Sequence, residues 1–149
     1  MSASRNYGRP WLALSGALAL HVTDEALSGF LDLWNPTMLR LRASIPWSPL
    51  PTFSFSTWLG GLVVLVIGLF LLSPFALAGS AWLRPLAYVY ASIMLLNGLG
   101  HLAASVYLGR LAPGVYSAPV LIACSVWLFS RLLRSGPGPS PGSRLTNVV

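Results

Sequence analysis

Four long apolar stretches restrict what this 149-residue chain can fold into. They cover about residues 11–34, 56–78, 85–109 and 114–130. A helix that crosses a membrane needs about 20 predominantly apolar residues, and each stretch reaches or approaches that length. Charged residues make up only 8% of the chain, about a third of their usual share in a soluble domain. We therefore predict an all-α protein that forms a four-helix transmembrane bundle.

Proline marks the long connection between the first and second predicted helices. Residues 35–52 contain Pro36, Pro46, Pro49 and Pro51, and proline inside a helix removes a backbone donor and clashes with the preceding turn. We predict a Pro-rich loop there, with a short amphipathic turn in MLRLRASI, within a single four-span domain at residues 1–134. The remaining residues, 135–149, include the run GPGPSPGS, and this composition predicts a disordered tail.

All nine basic residues are arginine, and they occur singly or in pairs between the apolar stretches. Nucleic-acid binding needs basic residues clustered on one face, so we expect no nucleic-acid partner. Four spans place six arginines on the side of both termini and three on the other side, and cytoplasmic segments carry the excess of arginine. We therefore expect an integral protein of the bacterial inner membrane, surrounded by lipid, with both termini in the cytoplasm.

A cleaved signal peptide is an alternative interpretation of the N-terminus. Arg5 and Arg9 precede the apolar run WLALSGALAL, and Ala17 and Ala19 form a small-x-small cleavage pattern. Loss of residues 1–19 would leave His21 close to the new terminus. We favour a complete membrane span, because the apolar pattern resumes after Glu25.

The histidines and acids interrupt the apolar helices in two stripes. At 100° per residue, one 100° arc of the first helix carries His21, Asp24, Glu25, Ser28 and Asp32, and one 80° arc of the third carries Tyr90, Asn97, His101 and Ser105. Polar groups that face lipid stay unpaired, so the stripes should face each other and bring Glu25 close to His101. We expect Asp32, near the helix end, to be auxiliary.

These residues also resemble a known family, the HXXEE-domain membrane proteins, which take their name from a His-x-x-Glu-Glu motif. Here the motif reads His21-Val22-Thr23-Asp24-Glu25, with Asp24 in place of the first glutamate. Residues 97–101 and 112–117 resemble the family's second signature, which is Asn-x-x-x-His followed by a Pro-Gly turn. The resemblance covers about residues 11–134. It implies architecture more than activity, because the family's function is described as unknown, with an enzymatic role suggested.

An ionisable side chain in the middle of a membrane helix costs roughly 2.5–3.5 kcal/mol and is functional by default. We therefore expect an enzyme that acts on a lipophilic small molecule from the bilayer. In an acid/base mechanism, Glu25 or Asp24 transfers a proton, His21 and His101 shuttle protons, and Asn97 orients the substrate. Such a site would isomerise a double bond, open an epoxide or cyclise a polyene.

A metal site is the alternative chemistry for the same residues. His21, Glu25 and His101 would bind Zn²⁺ or Fe²⁺, with Asp24 as a supporting partner or base. We rank acid/base chemistry first, because a catalytic metal site would need all three ligands and the stripes offer no spare one. A proton-coupled carrier or channel component, and a purely structural polar network, are the remaining alternatives. The oligomeric state is left open.

Overall fold

The computed structural model describes residues 7–47 and 49–134, and every regular element within these ranges is helical. The all-α class is thus confirmed for these residues. The tail predicted at residues 135–149 and the first six residues of the alternative signal peptide lie outside the described ranges. The helices are α1 (Gly8–Ser28), α2 (Phe30–Ser44), α3 (Phe55–Leu71), α4 (Ser73–Leu77), α5 (Arg84–Leu108) and α6 (Ala118–Arg134), with one 3-10 turn at Ala81–Leu83.

Helix α1 lies at the centre of the molecule and contacts every other α-helix. The Trp11 indole donates a hydrogen bond to the Leu69 carbonyl of α3 (3.0 Å), and the Tyr7 hydroxyl donates to the Ser80 carbonyl (2.7 Å). These bonds join the start of α1 to the end of the α3–α4 segment, so the two run antiparallel. Leu14 and Leu18 of α1 are buried in a cluster of apolar side chains to which α3, α4 and α6 also contribute. This cluster is the apolar core.

Helices α5 and α6 form the closest helix pair, and they too are antiparallel. A Cβ added to Gly98 would lie 2.7 Å from Ile122 Cγ1 and 3.2 Å from the Ala118 carbonyl oxygen. The Arg84 guanidinium donates to the Leu132 carbonyl (3.1 Å), at the other end of the pair. This close packing brings the turn between α5 and α6 over the end of α1.

Two stretches are long and apolar enough to cross a membrane, namely Phe55–Leu77 (mean hydropathy 2.4) and Ala81–Leu108 (mean hydropathy 1.4). In their most apolar 18-residue windows only 17% and 28% of the residues are buried. Large side chains such as Val64, Leu71 and Leu96 therefore lie on the outside of the protein. Two of the four predicted spans are therefore supported, by length and composition, within the described residues.

The predicted end of the first helix is wrong. Gly29 takes φ 77° and ψ 45°, the left-handed conformation that ends many helices, so α1 stops at Ser28 instead of continuing to residue 34. Helix α2 then starts at Phe30 and continues through Pro36 to Ser44. The loop predicted at residues 35–52 is therefore wrong over its first ten residues.

Side-chain contacts explain why α2 persists through its proline. The Asn35 amide donates to the Phe53 carbonyl (2.9 Å) and accepts from the Phe53 N–H (3.0 Å), while the Trp34 indole donates to the Pro51 carbonyl (3.0 Å). These bonds hold α2 against the segment that follows it, and they compensate for the backbone hydrogen bond that proline removes. They could not be read from helical periodicity.

The break at Gly29 also removes Asp32 from the stripe that was assigned to the first helix. Asp32 is exposed in the first turn of α2, where a negative charge interacts favourably with the helix dipole. The angular argument failed because it assumed one continuous helix.

Gly29→Ala should destabilise the protein by about 1–3 kcal/mol, because a non-glycine residue is strained in this conformation. The added Cβ would also lie 2.9 Å from Asp32 Oδ2. Gly16→Ala in α1 is the control, since a Cβ there meets no atom within 4 Å and alanine favours helix. Thermal unfolding in detergent measures both variants. Equal melting temperatures would contradict the helix break.

Candidate functional site

Three buried side chains converge where α1, α5 and the turn between α5 and α6 meet. Glu25 Oε1 lies 3.0 Å from His101 Nε2 and 3.6 Å from His21 Nε2. The exposed fractions of His21, Glu25 and His101 are 0%, 5% and 7%. The contact between Glu25 and His101 that the two stripes predicted is therefore present, and we call these three residues the His–Glu cluster.

A hydrogen bond on the side of the His101 ring away from Glu25 determines which ring nitrogen carries the proton. His101 Nδ1 contacts the backbone carbonyl oxygen of Pro113. A carbonyl can only accept, so Nδ1 carries the proton and donates it. In the neutral ring, Nε2 is then unprotonated, and its lone pair faces Glu25.

A longer chain of hydrogen bonds defines the protonation of His21. His21 Nδ1 lies 2.8 Å from Ser117 Oγ, which lies 2.7 Å from Asp24 Oδ2 and 3.2 Å from the Gly114 carbonyl oxygen. The ionised carboxylate and the carbonyl only accept, so either one takes the single Ser117 hydroxyl proton. His21 Nδ1 must therefore donate to Ser117, which leaves Nε2 of the neutral ring unprotonated.

The resulting arrangement requires a cation. His21 Nε2 is buried and has no hydrogen-bond partner among the described residues, and the His101 lone pair and the Glu25 carboxylate face the same space. Electron pairs that converge in a buried place repel each other unless a proton or a metal ion lies between them. The cluster can hold either one.

The geometry of the cluster admits a metal ion. The ligand atoms of His21, Glu25 and His101 all lie within 4.8 Å of one another. The two distances to Glu25 given above, 3.0 and 3.6 Å, are close to the roughly 3.3–3.5 Å that separates two ligand atoms of one tetrahedral zinc ion. Metal-binding histidines usually donate the N–H of their other ring nitrogen to a carbonyl, a carboxylate or water. His101 donates to the Pro113 carbonyl, and His21 donates to Ser117, which is bonded to Asp24.

The turn at residues 112–117 closes the cluster, and Gly114 allows its close approach. Gly114 has φ 82°, and an added Cβ would lie 2.8 Å from His101 Cε1 and 3.0 Å from Glu25 Cγ. Its N–H donates to Ser28 Oγ (3.2 Å), while the Ala112 N–H donates to Ser105 Oγ (2.9 Å). The turn is thereby bonded to the ends of both α1 and α5.

The predicted site residues do not all lie together. Asp24 is partly exposed, and it accepts from the Ser117 hydroxyl and from the Ser117 N–H (2.9 Å), so it supports His21 from outside the cluster. Asn97 is not one of the three clustered side chains and lines a cleft beside His101. The sequence reasoning missed Ser117, and the only signal for it was the Pro-Gly turn of the family resemblance.

Two cavities adjoin the His–Glu cluster. The α2–α5 cleft, about 400 Å³ in volume, lies between those helices. Its lining is mostly apolar and includes the polar groups of His101, Asn97, Thr37, Trp34 and Tyr107. The Glu25 cavity, about 350 Å³, is lined by Glu25, Asp32 and Asn35 among others. Phe30 lines both, and its ring centroid is 6.0 Å from that of His101. Small molecules thus have space on either side of Phe30.

The fold and the site define an all-helical protein with two candidate membrane spans and a buried two-histidine, one-glutamate cluster. The chain belongs to the family described as protein of unknown function with HXXEE motif, which it matches over residues 11–128. The family resemblance seen in the sequence is therefore confirmed. Comparison with curated proteins and with solved structures gave no match.

Ser117→Ala should destabilise the protein by about 1–3 kcal/mol, because the buried His21 Nδ1–H would lose its acceptor and Asp24 one of its donors. Ser125→Ala is the matched control: Ser125 is equally buried, but its hydroxyl donates only to the Leu121 carbonyl of its own helix (2.8 Å). Unfolding in detergent measures both variants. A larger loss for Ser125→Ala would contradict the role given to Ser117.

Proposed function

We propose that the protein is an integral membrane enzyme in which His21, Glu25 and His101 bind Zn²⁺ or Fe²⁺ beside a cleft for a lipophilic substrate. The observation that carries this proposal is the direction of the two histidines. Both donate their Nδ1 protons away from the cluster, to Pro113 and Ser117, so both Nε2 lone pairs face the Glu25 carboxylate.

Metal binding supplies the positive charge that this arrangement requires. Two histidines and one carboxylate are a common ligand set for zinc and for non-haem iron, and three protein ligands leave coordination positions for other molecules. The ion would polarise an oxygen atom of the substrate or of water. The chain's own part is to orient the ligands: Ser117 and Asp24 hold His21, and the Pro113 carbonyl holds His101.

The exposed apolar surface supports a membrane location. The outward side chains of α3 and α5 include Val64 (70% exposed) and Leu96 (69% exposed), and contiguous surfaces of this kind usually contact lipid or another protein. We propose α1 and α6 as two further crossings. The 21 residues of α1 extend about 31 Å at 1.5 Å per residue, close to the thickness of the hydrocarbon core. Its His21 and Asp24 side chains contact Ser117 of the turn, and Glu25 contacts His101 of α5.

Helix α2 would then lie at the membrane surface. It carries Trp34, Arg40 and Arg42, the residue types that favour the interface. Glu25 is in the last turn of α1, so the His–Glu cluster would lie near the same surface. A lipophilic molecule could reach the cluster from the bilayer through the α2–α5 cleft.

Acid/base catalysis is the second candidate function, and one distance favours it. The 3.0 Å between Glu25 Oε1 and His101 Nε2 is an ordinary hydrogen-bond length. A single proton shared by these atoms would also separate their electron pairs. Glu25 could deliver it to a substrate in the Glu25 cavity, and His101 to one in the α2–α5 cleft.

Metal analysis of the purified protein, after incubation with Zn²⁺ or Fe²⁺ and removal of free ions, tests the first candidate. We expect about one ion per chain in the wild type and a loss of at least tenfold in Glu25→Gln and His101→Ala, which remove a ligand. Asp32→Asn is the control, because Asp32 is exposed on α2 and should leave the metal content unchanged.

Ser117→Ala should give an intermediate result, since loss of a ligand's supporting partner lowers metal affinity about 10–100-fold. A wild-type protein that retains neither ion would overturn metal binding and leave the acid/base candidate. Unchanged substrate conversion by Glu25→Gln would instead support a purely structural network, because the amide keeps the shape of the side chain but cannot exchange protons.

A topology experiment tests the proposed orientation. The arginine distribution predicts that a reporter active only in the periplasm gives no signal when fused after Arg134. The same reporter inserted at Trp47, between α2 and α3, should be active. Strong activity of the C-terminal fusion would overturn the orientation, and a mature N-terminus near Leu20 would establish signal-peptide cleavage.

A further inference from the structure

The α2–α5 cleft has the size and the lining of a site for a hydrocarbon group. Its volume of about 400 Å³ lies within the 300–1,000 Å³ that is usual for small-molecule sites. Leu33 and Met38 of α2 face Ala104 and Leu108 of α5 across it. Gly100 of α5 also lines the cleft, and a Cβ added there meets no atom within 4 Å. An apolar molecule could therefore lie against the backbone of α5.

The cleft offers no positive charge to an anionic head group. None of the residues that line it is an arginine, a lysine or an acid. Arg42, on the same helix as Met38, directs its guanidinium to the Leu50 carbonyl (2.6 and 3.0 Å). Burial of an unpaired charge is strongly unfavourable. A phospholipid or fatty acid would thus lose solvation of its charge without gaining a partner.

The His–Glu cluster does not change this balance. If a divalent ion is bound, its two positive charges are matched by the carboxylates of Glu25 and Asp24, which are linked through His21 and Ser117. If a proton takes the place of the metal, these carboxylates make the cluster negative. The metal-bound state thus has no excess positive charge to attract an anion, the protonated state repels one, and both accept an uncharged oxygen group.

Asn97 supplies the polar contact that such a group needs. It lies one helical turn before His101, about 6 Å along the axis of α5, and its side chain takes part in no hydrogen bond among the described residues. Two other polar groups of the cleft wall are already engaged: the Thr37 hydroxyl donates to the Leu33 carbonyl (2.7 Å), and the Trp34 indole donates to the Pro51 carbonyl (3.0 Å). Tyr107 also lines the cleft, but its side chain is 90% exposed near the end of α5. A neutral amide both donates and accepts, so it suits a hydroxyl or a carbonyl.

We infer that the α2–α5 cleft binds a neutral lipid, a hydrocarbon chain or apolar ring system with one uncharged oxygen group that hydrogen-bonds to Asn97 beside His101. The role of this lipid as the substrate rests on the proposed function. Its binding in the cleft does not depend on that function.

Photo-crosslinking in lipid nanodiscs tests the inference with three matched probes, each a 16-carbon chain that bears a diazirine. The first is an alcohol, the second a carboxylic acid and the third an alkane. Peptide mass spectrometry then identifies the labelled residues. We expect the alcohol to label α2 and α5 at the cleft at least tenfold more than the acid, and about fivefold more than the alkane, the effect of one net hydrogen bond.

Two glycine variants show whether the label reports the cleft. Gly100→Leu fills it and should reduce labelling by the alcohol at least fivefold. Gly60→Leu is the matched control, because Gly60 is also exposed, a Cβ there also meets no atom within 4 Å, and it lies on α3 away from the cleft. Asn97→Leu should abolish the difference between the alcohol and the alkane.

Labelling of Gly100→Leu at the wild-type level would overturn the inference, as would equal labelling of the cleft by the acid and the alcohol. Metal content measured on the same samples separates this result from the proposed function. Wild-type protein that is labelled at the cleft but binds no metal supports the lipid site and overturns the metal centre. Metal-bound protein with an unlabelled cleft overturns the lipid site alone.

Discussion

The hydrogen bonds that His21 and His101 donate to the 112–117 turn are the interaction on which the rest of the site depends. The turn joins α5 to α6; His21 ties α1 to the turn through Ser117, and His101 ties α5 to it through the Pro113 carbonyl. A buried ring N–H without an acceptor would cost about 1–3 kcal/mol, which makes the turn part of the stability of the protein. The same bonds determine which ring nitrogen is unprotonated. The same two hydrogen bonds therefore stabilise the fold and leave the Nε2 atoms of the neutral rings unprotonated.

Close approach of the backbone makes these bonds available. Gly114 lets the turn pass against His101 and Glu25, where any side chain would collide with them. Gly98 allows α6 to pack closely on α5 and thereby brings Ser117 within reach of Asp24 and His21. Gly29 ends α1 just beyond Glu25, so Phe30 can lie between the two cavities. Absence of a side chain at three positions thus shapes the site as much as the histidines do.

The distribution of charge connects the proposed metal centre with the proposed lipid site. The two carboxylates of Glu25 and Asp24 lie on the side of His21 and the turn, while the wall of the α2–α5 cleft is uncharged. In a low-dielectric surrounding, a divalent ion would be balanced by these carboxylates, and the cleft would remain suitable for an uncharged molecule. The exposed apolar faces of α3 and α5 are consistent with such a molecule arriving through the bilayer.

Much of the fold, and the centre of the site, could be predicted from the sequence because they follow from local rules. Low charge and long apolar stretches indicate helices in lipid, and the i, i+4 spacing puts His21 and Glu25 on one face. The need of buried polar groups for partners predicted the contact with His101. Other features were decided only by tertiary structure. The left-handed Gly29 moved Asp32 to another helix, contacts with residues 51–53 carried α2 through Pro36, and α2 covered the face of α5 that bears Asn97. Ser117 became a partner of His21 through the packing of α6 on α5. Periodicity describes one helix at a time, whereas these outcomes depend on which segment comes to lie against it.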